Sequence, residues 1–324
     1  MHSNTATESP GLTIPQPKSD ASLIARPFLK WAGGKTQLLG QLRSYYPPGL
    51  SQGQLKRYVE PFLGGGAVFL DVAQSHDIAE AFLSDINPEL ILAYSVVQRD
   101  PDCLIERLAE YRQQYFLLDE IARKTLFYKV RDHYNDQKPA LDFAVYSDRW
   151  ISHAADMIFL NKTCFNGLFR VNRRGLFNVP FGAYKNPAIF EEQNIWRVST
   201  LLQNAVLSVG EFRACERLVN DQTFVYFDPP YRPLTTTASF TSYAQGGFGD
   251  DMQIVLAHLY ANLDIRCGAK LMLSNSDPRN ADPADNFFDD LYADYHIHRV
   301  HASRMINSDA QGRGKITEIL VTNY

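Results

Sequence analysis

At 324 residues, with 45% hydrophobic and 21% charged positions, the chain has the make-up of an ordinary soluble globular protein with room for about two domains. No apolar run approaches the ~18 residues that would span a bilayer, so no membrane association is expected. The formal net charge of −4 excludes a protein that binds polyanions over its whole surface, and four scattered cysteines, Cys103, Cys164, Cys215 and Cys267, point to free thiols in a cytosolic protein and to no metal site.

In chain order, residues 1–26 are rich in Ser, Thr and Pro and read as a disordered tail with no secretory signal. Arg57–Phe62 reads as a strand, Leu63-Gly64-Gly65-Gly66 as a tight turn, and Ala67–Ala73 as the start of a helix. Ala81–Asp85 reads as a second strand, with Asn87-Pro88-Glu89 opening another helix. From about residue 90 to 160 apolar residues recur at helical spacing, as in Leu104, Ile105, Leu108 and Tyr111. Strands return at Val206–Val209, Phe224–Phe227 and Lys270–Ser274, and Lys315–Tyr324 alternates as an edge hairpin strand would. The expected architecture is one mixed α/β sheet built from 27–89 and 195–324, interrupted by a mainly helical insertion over 90–194.

That insertion holds the one strongly biased segment. Between Asp156 and Glu191 there is no acidic residue, while Lys162, Arg170, Arg173, Arg174 and Lys185 are basic and Phe165, Phe169, Phe177, Phe181 and Tyr184 are aromatic. Basic groups interleaved with aromatics suit phosphate contact and base stacking. A solvated basic loop over a small apolar cluster would carry the same letters.

The apolar run Phe224–Phe227 ends in Asp228-Pro229-Pro230-Tyr231. Two prolines remove two N–H donors and stop the strand, leaving a carboxylate, carbonyls and an aromatic face where ligands of open α/β sheets bind. Such a set can receive a flat, amino-bearing ring. The glycine turn lacks the third glycine of a dinucleotide fingerprint, and Ala32-Gly33-Gly34-Lys35-Thr36 lacks the first glycine of a phosphate loop, since Leu29 stands there. A nucleoside-type cofactor without a pyrophosphate remains: Gly64 and Gly66 let the backbone approach it and Asp85 holds its ribose, although a plain turn carboxylate fits Asp85 equally.

Phe28–Lys35, Val59–Gly66, Ser84–Asn87, Asn166–Asn172, Phe177–Gly182, Asp228–Tyr231 and Gly314–Leu320 occur in the order found in Dam-type adenine-specific DNA methyltransferases. Within that family the chain is similar to the modification enzymes of DpnII-type restriction systems, from about residue 27 onward. The resemblance implies a Rossmann-like methyltransferase sheet, with 90–194 as target-recognition domain. It implies S-adenosyl-L-methionine as cofactor, and methyl transfer to N6 of an adenine flipped out of double-stranded DNA at GATC. By the same carry-over Asp228, Pro229 and Tyr231 form the catalytic set, and Trp31, Lys35, Asp85 and Asp228 contact the cofactor. Phe212 is a weaker candidate for packing on the cofactor adenine, with a core aromatic as the competing reading. Arg170 reads a guanine, Phe165 wedges into the base stack, and Lys30, Asn166, Leu168, Asn172 and Pro180 complete the DNA-binding set. A methyltransferase for a protein glutamine or ribosomal RNA amine, and a catalytically silent DNA-binding regulator, are the alternatives from other classes. The sequence leaves the oligomeric state open and is compatible with a monomer.

Overall fold

The run Thr223–Phe227 is buried at every position, the signature of a strand covered on both faces of a parallel sheet. In the computed structural model, which describes residues 24–232, 248–303 and 315–324, it is the central strand of seven. Single-turn helices α1 (Leu39–Leu42) and α2 (Pro48–Ser51) lead into β1 (Arg57–Glu60), α3 (Ala67–Ser75), β2 (Glu80–Asp85) and α4 (Pro88–Arg99). Helices α5 (Pro101–Leu117), α6 (Glu120–Gln137), α7 (Asp148–Thr163) and α8 (Glu192–Leu202) precede β3 (Ala205–Val209) and β4 (Thr223–Phe227). The remainder is α9 (Asp250–Cys267), β5 (Lys270–Ser276), α10 (Phe287–Leu291), β6 (His296–Ser303) and β7 (Lys315–Thr322).

The strand order is β3-β2-β1-β4-β5-β7-β6. The first five are mutually parallel, while β7 runs antiparallel to both β5 and β6. The fold is thus mixed α/β, as expected, with a mostly parallel sheet and a helical segment between β2 and β3. One expectation fails: the closing strand is no edge. β7 is inserted between β5 and β6, and the edge is β6, a strand the sequence reading did not identify.

Side-chain alternation divides the core. Tyr58, Phe224 and Tyr226 pack with the apolar faces of α3, α4, α7 and α8. Val59, Val225, Phe227, Leu271 and Leu273 pack on the other side with α9, as the period of two along a strand requires. Helix α4 is buried over nearly its whole circumference, which marks it as a central helix and not a surface one. Asn87 caps it by accepting from the Glu89 and Leu90 N–H groups at 3.0 and 3.3 Å, with Pro88 in the first turn. Since α4 packs against α7 and α8 as well as β2 and β3, the sheet and the helical segment share one core.

Most of the expected tail, residues 1–23, lies outside the described residues. Its last part does not behave as a tail: Ala25 is buried and donates its N–H to Gln74 Oε1 at 2.9 Å, and Arg26 donates its N–H to Asn194 Oδ1 at 2.8 Å. Among the described residues no helix is long and apolar enough to cross a membrane.

Candidate active site

In the strand order the chain turns outward in opposite directions from β1 and β4, so a crevice opens at their carboxyl ends. Both ends carry chemistry. After β4, Asp228 receives Lys35 Nζ on both oxygens, at 2.6 and 2.8 Å, and the Ser274 hydroxyl on Oδ1 at 3.0 Å. Lys35 also donates to the Gly33 carbonyl at 2.9 Å and sits 4.7 Å from the centroid of the Tyr231 ring. Its side chain is 3% exposed, against 19% for Asp228. Lys35 and Asp228 are 193 residues apart in sequence, so it is the fold that brings the expected cofactor contact Lys35 onto Asp228, which was expected to serve both cofactor and catalysis.

Tyr231 is fixed from its far end, where its hydroxyl donates to Glu318 Oε2 at 2.5 Å. Gln253, fully buried on α9, donates to the Pro230 carbonyl at 3.2 Å and accepts from Asn275 Nδ2 at 3.1 Å. Asn275 Oδ1 in turn accepts the Arg232 N–H at 3.3 Å. The Pro230 carbonyl is therefore engaged, whereas no donor among the described residues reaches that of Pro229. Burial pushes the Asp228 carboxyl above its ordinary pKa, with Lys35 and Ser274 opposing. Burial likewise raises Glu318, against the pull of Lys35 and the Tyr231 bond.

The end of β1 runs into the glycine turn. Gly66 adopts φ 65°, in the left-handed region, and a Cβ there would lie 2.5 Å from the Tyr94 hydroxyl; both facts call for glycine. At the end of β2, Asp85 accepts the Gly64 N–H on Oδ2 at 3.0 Å and the Asn87 N–H on Oδ1 at 2.9 Å. It tethers this turn to the next, and burial holds its pKa up despite those bonds. Trp31 lies against Gly64 and Gly65 on one side and stacks on Phe169 on the other, ring centroids 5.2 Å apart. Phe212 is buried and stacked on Phe62 at 5.3 Å, so its core contacts are as real as the competing reading held. Beside Asp85, the side chain of Ile86 is 68% exposed, an apolar surface at the crevice that the sequence reading passed over.

The DNA-binding candidates form a second cluster on the loop after α7. Asn161 joins its two halves: it exchanges hydrogen bonds with the Lys30 backbone, 2.8 Å each way, and donates to the Gly167 carbonyl at 3.0 Å. A Cβ on Gly167 would meet the Lys30 side chain at 2.2 Å, so only glycine lets these strands of loop touch. Lys30 Nζ lies 5.0 Å from the Tyr184 ring centroid. Phe165 is 52% exposed. Asn166, at φ 56°, donates its N–H to the Tyr184 hydroxyl at 3.1 Å. Leu168 is half-buried and Pro180 exposed, its carbonyl accepting the Phe165 N–H at 2.9 Å.

Bridges between Cys164 and Phe181 and between Val171 and Phe177 fold this segment into a hairpin with Asn172–Gly175 at its tip. Asn172 Oδ1 accepts the N–H groups of Arg174 and Leu176 at 2.9 and 3.2 Å, so part of its side chain shapes the turn. Arg170, exposed on one arm, has its guanidinium held by Asn178, Nε to Oδ1 at 2.8 Å. Sequence reasoning missed Asn161, Asn178, Ser274, Glu318 and Gln253; of these only Asn178 and Glu318 fell within quoted motifs. Burial and neighbouring Lys30 pull the Lys162 ammonium down to about 8.

The D12 class N6 adenine-specific DNA methyltransferase family matches residues 31–306. The chain is similar to the type II methyltransferase M.MjaIII of Methanocaldococcus jannaschii, 49% identical over 92% of this chain and 99% of that protein. It is also similar to the DNA adenine methylase of Escherichia coli K12, 32% identical over 91% of this chain and 94% of that protein. Among solved structures, a precorrin 8W decarboxylase of Methanobacterium thermoautotrophicum aligns over 93% of this chain and 99% of that one, but at 11% identity and a TM-score of 0.36 the likeness carries no argument. With a family match spanning most of the sequence and relatives matched nearly end to end, the chain belongs to the D12 class of N6 adenine-specific DNA methyltransferases.

Proposed function

We propose that the enzyme transfers the methyl group of S-adenosyl-L-methionine to N6 of an adenine flipped out of double-stranded DNA, at GATC. The observation that carries this reading is the Lys35–Asp228–Tyr231 cluster beside the glycine turn, where a ring amine and a nucleoside cofactor can meet.

The residues at the ends of β1 and β2 fit the cofactor. Gly64 and Gly66 keep the turn free of side chains, Trp31 walls it, and Asp85 offers its carboxylate to ribose hydroxyls. Ile86 and Phe212, on adjoining loops tied by the Gly210 N–H donating to the Asp85 carbonyl at 3.1 Å, give apolar faces for the cofactor adenine. When bound, S-adenosylmethionine supplies a methyl group already activated by its sulfonium, so the protein needs to position more than to activate.

Target adenine N6 is a weak nucleophile because its lone pair is delocalised into the ring. A carboxylate has about four acceptor sites; Lys35 and Ser274 use three on Asp228, leaving one on Oδ2. That site and the Pro229 carbonyl each accept one N6–H, which aims the lone pair at the methyl group. The same two acceptors stabilise the positive charge that develops on nitrogen. Tyr231, held by Glu318, stacks on the ring and helps offset the few kcal/mol that extrusion of a base costs.

Residues 27–89 and 195–324 serve as the catalytic portion and 90–194 as the recognition portion, the shared helix α4 keeping them in fixed relation. Arg170 addresses guanine O6 and N7 with its planar fork, Phe165 fills the gap left by the flipped base, and Lys30, Asn166, Leu168, Asn172 and Pro180 line the base edges. The similarity to a type II methyltransferase supports a role in protecting DNA from a companion nuclease. The GATC assignment rests on the family resemblance. Incubation of S-adenosyl[methyl-³H]methionine with duplexes carrying GATC and its single-base variants, followed by nucleoside analysis, tests both parts. N6-methyladenine confined to GATC is expected. Label in cytosine, or equal label in every variant, overturns the chemistry or the site respectively.

A further inference from the structure

Glu89 is a carboxylate that the mechanism above does not use, yet it is 3% exposed and bonded on both oxygens. Tyr134 OH and His153 Nε2 meet Oε1 at 2.5 and 3.2 Å, and Lys138 Nζ meets Oε2 at 2.7 Å. Burial acts to raise its pKa, but these bonds from His153, Lys138 and Tyr134 prevail and hold it below the ordinary value. A buried carboxylate kept charged needs such partners. What sets this one apart is where its neighbours lead.

On one side the connection runs to the cofactor crevice. Glu89 stands in the first turn of α4, its N–H held by Asn87, whose own N–H is held by Asp85. On the other side it runs to the DNA-reading hairpin. Lys138 Nζ, while bonded to Glu89, also donates to the Gly175 carbonyl at 2.7 Å, in the tip that presents Arg173 and Arg174. Three residues earlier on α6, Asn135 exchanges hydrogen bonds with the Phe177 backbone, at 2.8 and 3.1 Å, fixing the returning arm.

We infer that Lys138 is a positioning residue that couples the two ligand sites, setting the height of the recognition hairpin against the Asp85 loop so that filling one site alters affinity at the other. The inference rests on the reading of those sites given under Proposed function. A contiguous chain of bonds does not by itself demonstrate coupling. Coupling is a ratio of affinities and must be the same in both directions.

The test uses the full-length enzyme, S-adenosylhomocysteine as a non-reacting cofactor analogue, and a duplex containing GATC. The Kd for duplex is measured with and without analogue, and that for analogue with and without duplex. In the wild type each partner is expected to tighten the other by at least about fivefold, the lower end of ordinary coupling. Lys138→Met is expected to bring both ratios to near one while the Kd for analogue alone stays within about twofold, since Lys138 touches no part of the cofactor crevice. Lys138→Met leaves the Glu89 charge unpaired, so Glu89→Gln/Lys138→Met, which removes both charges, is the second variant. A role in stability alone lowers Tm without moving the ratios. Wild-type ratios retained in either folded variant, or a wild-type ratio of one, overturn the inference. Asp85→Ala and Arg170→Ala are run beside them: if neither changes its own ligand's binding, it is the site assignment that has failed and not the coupling alone.

Discussion

Lys35 grips both carboxylate oxygens of Asp228, at 2.6 and 2.8 Å, while its ammonium lies against the Tyr231 ring. The pairing holds Asp228 in place before any ligand arrives and opposes the rise that burial imposes on its pKa. Removing the carboxylate should therefore be far more damaging than its modest surface would indicate. Asp228→Ala is expected to reduce methylation to background, with the far-ultraviolet circular dichroism and duplex Kd retained. Turnover within about tenfold of wild type would rule out the acceptor role.

The same pair sets a pH dependence. Burial raises the Asp228 pKa and Lys35 opposes that rise, and the ionised carboxylate is the stronger acceptor for N6–H and the form that stabilises the positive charge developing on nitrogen. Activity should fall as pH falls through the raised value, and Lys35→Met should move that acid limb to higher pH. For stability the sign is opposite to that of an ordinary salt-bridged aspartate. The folded state holds the proton more tightly than the unfolded one, so ionising Asp228 costs stability as pH rises from its unfolded pKa through its folded pKa, and the cost is absent below both. Profiles of kcat/KM and of Tm against pH, for both proteins, check the two signs.

Asp85 holds two backbone N–H groups besides any ribose it receives. Asp85→Ala is expected to weaken cofactor binding by about 1–3 kcal/mol, the scale of losing a charge-assisted bond, and to lower Tm because the two turns come untied. Isothermal titration with S-adenosylhomocysteine reads the first effect. An unchanged Kd accompanied by a lowered Tm would make Asp85 a turn residue only.

Gly66→Ala places a methyl in the left-handed region and against the Tyr94 hydroxyl. A loss of about 1–3 kcal/mol in stability is expected from the backbone alone. Tyr94→Phe in the same chain should recover part of the loss by removing the hydroxyl, and not all of it, since the φ angle remains. Urea denaturation of the single and double variants separates the two contributions.

Each bidentate arginine–guanine contact discriminates by about 1–3 kcal/mol. Arg170→Ala should therefore cut selectivity at the guanine by about tenfold or more, and Asn178→Ala, which frees the guanidinium, should reproduce part of that loss. Arg173→Ala and Arg174→Ala should weaken binding on every sequence and flatten its salt dependence, as phosphate contacts do. Methylation of single-base variants at two salt concentrations distinguishes them. An equal loss at all sites for Arg170→Ala would make it a backbone contact.

The residues that announced themselves in sequence were those whose local chemistry breaks a pattern. Asp228-Pro229-Pro230-Tyr231 stops a fully apolar strand, and the glycines stop another, so both strand ends and their place at the crevice were legible. Ser274, Glu318, Gln253 and Asn275 were not, because each sits inside an element and reaches the site only through the order of strands. That order was itself hidden. The alternation in β7 marks a strand but not its neighbours, and β6, written His296-Ile297-His298-Arg299-Val300-His301, has too little apolar character to be read as one. Phe212 shows a further limit: its composition fits a cofactor wall and a core aromatic alike, and its stacking on Phe62 satisfies the second without removing it from the crevice.

Trp31 has one more consequence. Its indole is half-buried between the glycine turn and the Phe169 ring, whereas Trp150 is enclosed in the helical core. Anything that displaces water from the turn, or shifts the hairpin that carries Phe169, changes the surroundings of that one chromophore. The enzyme thus carries its own optical reporter at the junction of its two proposed sites, and a Trp150→Phe/Trp196→Phe variant would let a single emission band follow both in real time.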